Sequence, residues 1–247
     1  MSHGDILFLF LVFFAAFIPS FIALIWLRSL IQGRRERWED LLLTFAFGSA
    51  VSAIAALLIE LTASYLLFES IGREYELFVL NPSIISFIMI ILIAPVVEEY
   101  VKALGVSYYS RSIWRPRNGL MMGAAVGLGF AATENFLYES NAYLAEGTEA
   151  FIVLALVRSF SSTLMHASAT SIAGYGFARA KIYGSRWWPY LIIAMLMHIL
   201  FNFFASFGEL FSEVYGEIME SMGLIFSILL VVIALLFIRS RLRGHYA

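Results

Sequence analysis

The chain contains no cysteine. Disulfides, thiolate metal ligands and cysteine nucleophiles are excluded together, so any chemistry falls to other side chains. Aspartate is almost missing: Asp5 and Asp40 are the only two, and neither lies within a long apolar run, which rules out an aspartyl dyad at membrane depth. No HExxH occurs, so the usual zincin helix is absent as well. A serine and histidine dyad would need a serine in a Gly-x-Ser-like setting inside a span, and only Gly48-Ser49 comes near it. Histidine is scarce too, with His3 and His245 in the tails and only His166 and His198 inside apolar runs. Charge is thin throughout: 14% of the 247 residues are charged and 61% are hydrophobic. A mean hydropathy of +0.85 lies far outside the range of a soluble domain and marks an integral membrane protein.

What is present in quantity is long apolar sequence. A helical span needs about 20 mostly apolar residues to cross a core of ~30 Å. Seven windows qualify: Ile6 to Leu27, Leu41 to Phe68, Ser83 to Leu104, Gly119 to Tyr138, Phe151 to Phe177, Trp188 to Phe207 and Met219 to Ile238. The first has no basic segment before it and no small-x-small site after it, so it reads as a retained span and not a secretory signal. The expected fold is therefore all-α, a polytopic membrane bundle of seven transmembrane helices forming a single domain over residues 1–247, with no repeat and no broken helix pair.

The basic residues set an orientation. Fourteen of sixteen fall on alternate connections: Arg28, Arg34, Arg35 and Arg37; Lys102, Arg111, Arg115 and Arg117; Arg179, Lys181 and Arg186; and Arg239, Arg241 and Arg243. The intervening connections are rich in glutamate. By the positive-inside rule this places the N-terminus outside and the C-terminus in the cytoplasm.

Ionisable side chains inside spans are costly and mark candidate sites. They are Glu60, Glu98, Glu99, Glu134, Arg158, His166 and His198. Counted from span midpoints at ~1.5 Å per residue, they form two layers. His166 and His198 lie near the midplane with Glu98 toward the cytoplasm; Glu60, Glu134 and Arg158 lie toward the outside. The outer layer has a structural explanation, since Arg158 needs a partner and Glu134 or Glu60 could supply one.

Glu98 and Glu99 admit two readings. The helix could end there, with both carboxylates and Lys102 snorkelling to the interface. Alternatively one carboxylate faces the imidazoles while the other leans on Lys102, which follows them by four and three residues. Pro95 should kink the helix just ahead of the pair. On the next helices, Ser162, His166 and Thr170 share one face, as do His198 and Asn202. Gly119, Gly123 and Gly127 at four-residue spacing make a close-packing face for another helix. With aspartate and cysteine gone, glutamate and histidine remain: a buried carboxylate can act as general base toward water, or Glu with two His can hold Zn²⁺.

Four ordered motifs then match a known pattern. EEYVK (Glu98, Glu99, Lys102), FAATENFLY (Phe130, Glu134, Asn135, Tyr138), RSFSSTLMHASATSIAGYG (Arg158, His166) and HILFN (His198, Asn202) resemble the motifs of the PrsW family of intramembrane proteases. The resemblance covers about residues 83–208, and that family looks related to the CAAX-protease and bacteriocin-processing superfamily. It implies a membrane-embedded endopeptidase of a bacterial or archaeal cell membrane. The substrate it implies is a single-span membrane protein such as an anti-sigma factor, cut at its first site to release a stress response. No nucleic-acid partner is expected.

Carried over, Glu98 and Glu99 supply the base, His166 orients the water or shares its proton, and His198 with Asn202 stabilises the oxyanion. Lys102, Glu134, Asn135 and Arg158 support the site; the superfamily has a histidine near the position of Glu134 and Asn135, which leaves the role of Glu134 open. The implied chemistry needs no metal, with zinc on Glu98, His166 and His198 as the alternative. Two other classes compete: a seven-span receptor or scaffold, and a proton or metal-ion transporter, which would show paired repeats and broken helices.

Overall fold

The computed structural model describes residues 3–243; His245 lies outside them. Twelve α-helices occur among those residues: α1 (His3–Ser29), α2 (Trp38–Phe47), α3 (Ala53–Leu66), α4 (Glu76–Leu80), α5 (Ser83–Ile88), α6 (Ala94–Tyr108), α7 (Pro116–Glu146), α8 (Thr148–Phe160), α9 (Ser162–Tyr183), α10 (Trp188–Ala205), α11 (Phe207–Tyr215) and α12 (Ile218–Arg243). They compose seven helical stretches long and apolar enough to cross a membrane, beginning at Leu7–Ser29 and ending at Ile218–Arg243. Each expected window falls on one of these stretches, and no strand occurs among the described residues.

Most faces of these stretches carry exposed apolar side chains, as lipid contact requires, and the polar groups turn inward. The exception is α7, whose residues from Pro116 to Ala132 are all buried. Its partner α9 is buried nearly throughout from Ser162 to Gly176. Helices buried all round must pack by close approach, and small residues permit it. Gly119 lies against the Gly174 carbonyl, Gly123 against that of Thr170, and Gly127 against that of His166, so a Cβ at any of the three would overlap the neighbouring backbone. The expected glycine seam is therefore the α7–α9 contact, and it carries His166 with it. Gly127→Leu should separate the helices and cost about 1–3 kcal/mol of stability. The measurement is thermal unfolding in detergent, and an unchanged midpoint with full activity would contradict the seam.

Two departures from straight helices position the site. The fifth span is broken at Ser161, where φ is −109° and ψ −74°. The hydroxyls of Ser159 and Ser161 donate back to the carbonyls of Ala155 and Val157, each at 2.7 Å, a bonding pattern that bends helices. This is an interruption within one apolar stretch, Thr148–Tyr183, and not the pair of broken helices that a transporter would show. In the third span the weakness expected at Pro95 takes the form of a π-helical turn at Met89–Ile93, directly before α6. Proline lacks the N–H that would continue the ladder, and the wider turn absorbs the mismatch. Two further π-helical turns, Gly48–Ser52 and Leu67–Ile71, flank α3.

At the arginine-rich end, the link from α1 to α2 is tied to the start of α7. Arg117 donates to the carbonyls of Gln32 and Arg34, Arg28 donates to that of Glu36, and the Asn118 amide donates to the Glu36 carboxylate at 2.7 Å. Burial raises the Glu36 carboxyl above its usual range, against the lowering effect of these donors.

Candidate active site

The pair at the start of α6 does not sit at a helix end. The helix runs on to Tyr108, and Glu98, Glu99 and Lys102 are all buried, with Lys102 fully enclosed. The snorkelling reading is thereby corrected: the side chains point into the bundle, where α7, α9 and α10 meet α6. An ammonium in such a place must be surrounded by acceptors. Its Nζ lies 2.6 Å from Glu99 Oε1, 3.3 Å from Glu98 Oε2 and 2.9 Å from His166 Nδ1, over the face of Phe130 at 4.3 Å from the ring centre.

The two carboxylates are held very differently. Glu99 is locked: besides Lys102 it accepts the Thr170 hydroxyl at 3.0 Å, and His198 Nδ1 lies 3.2 Å away. Glu98 has only the long contact to Lys102 and borders a cavity. Lys102 therefore touches both carboxylates, where a division of one to the lysine and one to the imidazoles was expected. The imidazoles are shared as well.

Partners fix the histidine tautomers. The lysine ammonium can only donate, so His166 Nδ1 accepts and its Nε2–H donates to Glu134 Oε2 at 2.8 Å. A carboxylate can only accept, so His198 Nδ1–H donates to Glu99. The unprotonated nitrogens, Nδ1 of His166 and Nε2 of His198, each lie 3.9 Å from Glu98 Oε2. That is too long for a direct hydrogen bond and short enough for one water, set to the side, to bridge the two atoms. The rings meet edge to face with centroids 4.8 Å apart.

Glu134 joins the two depth layers. Arg158, three residues before the break at Ser161, donates to Glu134 and to Asn135 Oδ1, each at 2.7 Å, and to Ser162 at 3.1 Å; its guanidinium lies over Tyr138. The Asn135 amide donates to Thr163 at 2.8 Å. Glu134 is thus the partner of Arg158, and it also grips His166. Counting rise per residue separated the layers because it ignored side-chain reach and the bends in the third and fifth spans.

Asn202 shares the cavity wall, but its amide donates to the Ile90 carbonyl at 2.8 Å, inside the π-helical turn. Glu60 also faces this cavity and does not touch Arg158. The Ser49 hydroxyl lies 2.7 Å from that of Thr133, so it pairs with no histidine. Thr170 and Phe130 were legible only as a shared face and a motif residue; the Ile90 carbonyl left no trace in the sequence.

The cavity, about 250 Å³, lies between α3, the π-helical turn of the third span, α7 and α10. A small space bordered by one loosely held carboxylate, with the unpartnered Nε2 of His198 3.9 Å from that carboxylate, suits activation of water. One ligand atom each from Glu98, His166 and His198 also lies within 4.8 Å of the others, a donor set that could hold a metal ion.

Residues 36–238 match the family described as PrsW family intramembrane metalloprotease. Among curated relatives, Protease PrsW of Clostridioides difficile (strain 630) is 28% identical over 196 residues, 77% of this chain and 76% of that protein. Protease PrsW of Shouchella clausii (strain KSM-K16) is 31% identical over 108 residues, 42% of this chain and 46% of that protein. No solved structure matches the chain.

Proposed function

The chain belongs to the PrsW family of intramembrane proteases, and from that premise we propose that it is a glutamate-dependent endopeptidase acting on a single-span membrane protein, of the anti-sigma-factor type. The observation that carries this is the position of Glu98 Oε2, bordering the cavity and 3.9 Å from both the unpartnered Nε2 of His198 and the lysine-bound Nδ1 of His166. A water there donates one hydrogen to Glu98 and the other to His198 Nε2, with a lone pair left for the scissile carbonyl. Glu98 takes the proton as the carbon–oxygen bond forms, then returns it to the departing amine as the carbon–nitrogen bond breaks. Glu99 holds His198 and Lys102 in register, and Glu134 does the same for His166. Asn202, released from Ile90 when substrate enters, donates to the oxyanion. The arginine-rich ends of the bundle lie in the cytoplasm, following the basic-residue pattern.

The metal question turns on Lys102. Glu98, His166 and His198 would hold zinc, and Glu134 and Glu99 already brace the far nitrogens of the two histidines as carboxylates do around such ions. Zinc, when bound, would supply a Lewis acid that lowers the pKa of a water. Against this, the His166 Nδ1 lone pair is taken by an ammonium that Glu99 holds at 2.6 Å. That arrangement favours the metal-free reading, with Lys102 as the resident cation. The test is cleavage of a single-span substrate in liposomes by protein whose metal content is measured. Activity without bound metal, unaffected by chelator, is expected. Activity that disappears on chelation and returns with stoichiometric zinc overturns the metal-free reading, and no cleavage by any preparation overturns the protease assignment for this substrate class.

A further inference from the structure

One carboxylate at the cavity is unaccounted for. Glu60 lies on α3, where Ala53, Ala56, Leu57 and Glu60, spaced as one helical face, line the wall across from α6. Its Oε1 is shielded from solvent, yet has no hydrogen-bond partner among the described residues. The other cavity carboxylates are engaged, Glu98 by Lys102 and Glu134 by Arg158 and His166. A shielded acceptor without a donor is rare in native structures and calls for an explanation. Packing does not supply one: α3 meets α6 and α7 through Ala56, Val101 and Phe130, all apolar.

The reaction supplies the missing donor. A peptide bond within a substrate helix is enclosed by its own ladder, so the helix must open before Glu98 can direct water at it. Opening frees backbone N–H groups, and each one left unmatched in hydrocarbon costs several kcal/mol. The free acceptor and the free donors would arise in the same cavity.

We propose that Glu60 is a substrate-binding residue whose carboxylate accepts a backbone N–H from the opened substrate segment beside the scissile bond. The assignment rests on the protease reading above. It also gives α3 a part in the reaction, as the wall against which the unwound strand is laid.

The test is a backbone-ester scan of a semisynthetic single-span substrate in liposomes, in which each N–H near the cut is replaced in turn by oxygen. With wild-type protein, one ester position should lower kcat/KM by about tenfold or more, the range for a hydrogen bond to a charged acceptor. Glu60→Leu should lower kcat/KM for the all-amide substrate by a similar factor and abolish the effect of that ester. Glu60→Gln, which keeps an acceptor oxygen, should restore most of the rate. Leucine is welcome in a membrane helix, so the variant should fold, and its melting temperature checks this. Wild-type kcat/KM in Glu60→Leu, or ester and leucine effects that multiply independently, overturns the proposal. Glu98→Gln separates the levels: if it is inactive while Glu60→Leu is unimpaired, only the Glu60 assignment falls. A wild-type protein that cleaves no single-span substrate overturns both.

Discussion

Glu98→Gln is expected to reduce cleavage by about a thousandfold, within the range that a positioned general base contributes. The amide fills the same space and keeps an oxygen toward Lys102, so the fold should survive; what disappears is the capacity to take a proton from water. Glu98 is distinguished by how little holds it. Its single charged contact is at 3.3 Å, while Glu99 is fixed by Lys102, Thr170 and His198. A base must be free to change protonation state during turnover, and a carboxylate saturated with donors resists that. Initial rates in liposomes, with unfolding midpoints as control, give the comparison. Retention of more than about a tenth of the activity would remove Glu98 from the role of base.

Lys102→Met should be the most damaging change to stability. The thioether matches the length of the lysine stem, but the substitution leaves two buried carboxylates without their cation. Breaking a buried pair by removing one partner costs about 3–5 kcal/mol, because the remaining charge stays uncompensated. It would also leave His166 Nδ1 without a donor and the face of Phe130 without its cation. The diagnostic is a double substitution: Glu99→Gln on the Lys102→Met background should recover a large part of the lost stability, since it removes the stranded charge. If the two losses simply add, Lys102 and Glu99 are not the coupled pair that their 2.6 Å separation implies.

Much of the architecture was legible without coordinates. Membrane spans are declared by local runs of apolar residues, and a glycine face by its own spacing, so both can be read along one dimension. The residues of the buried polar cluster were legible for a related reason. Placing a charge in hydrocarbon is costly enough that few occur, and Glu98, Glu99, Lys102, Glu134, Arg158, His166 and His198 include most of them. What could not be read was partnership. Glu134 was open to pairing with Arg158 as a structural anchor, yet it also receives His166, because Arg158 on α8 and His166 on α9, pressed on Gly127, both reach it.

Lys102 makes the same point. Three and four residues after the glutamates, it was equally consistent with a frayed helix end and with a buried cation, since spacing within a helix is identical in the two cases. Only the presence of Phe130 and His166 from other helices closes the space above it. Composition and periodicity thus determined, from the sequence alone, that seven helices cross a membrane and that glutamate and histidine are the ionisable groups, besides one arginine, placed at membrane depth. The tertiary structure decided that Glu99 is locked and Glu98 loosely held, that Glu134 joins the two polar layers, and that Glu60 faces the same cavity. Those outcomes depend on how each helix is rotated and shifted against its neighbours, and a π-helical turn or a serine bend moves side chains by amounts that no residue count along the chain records.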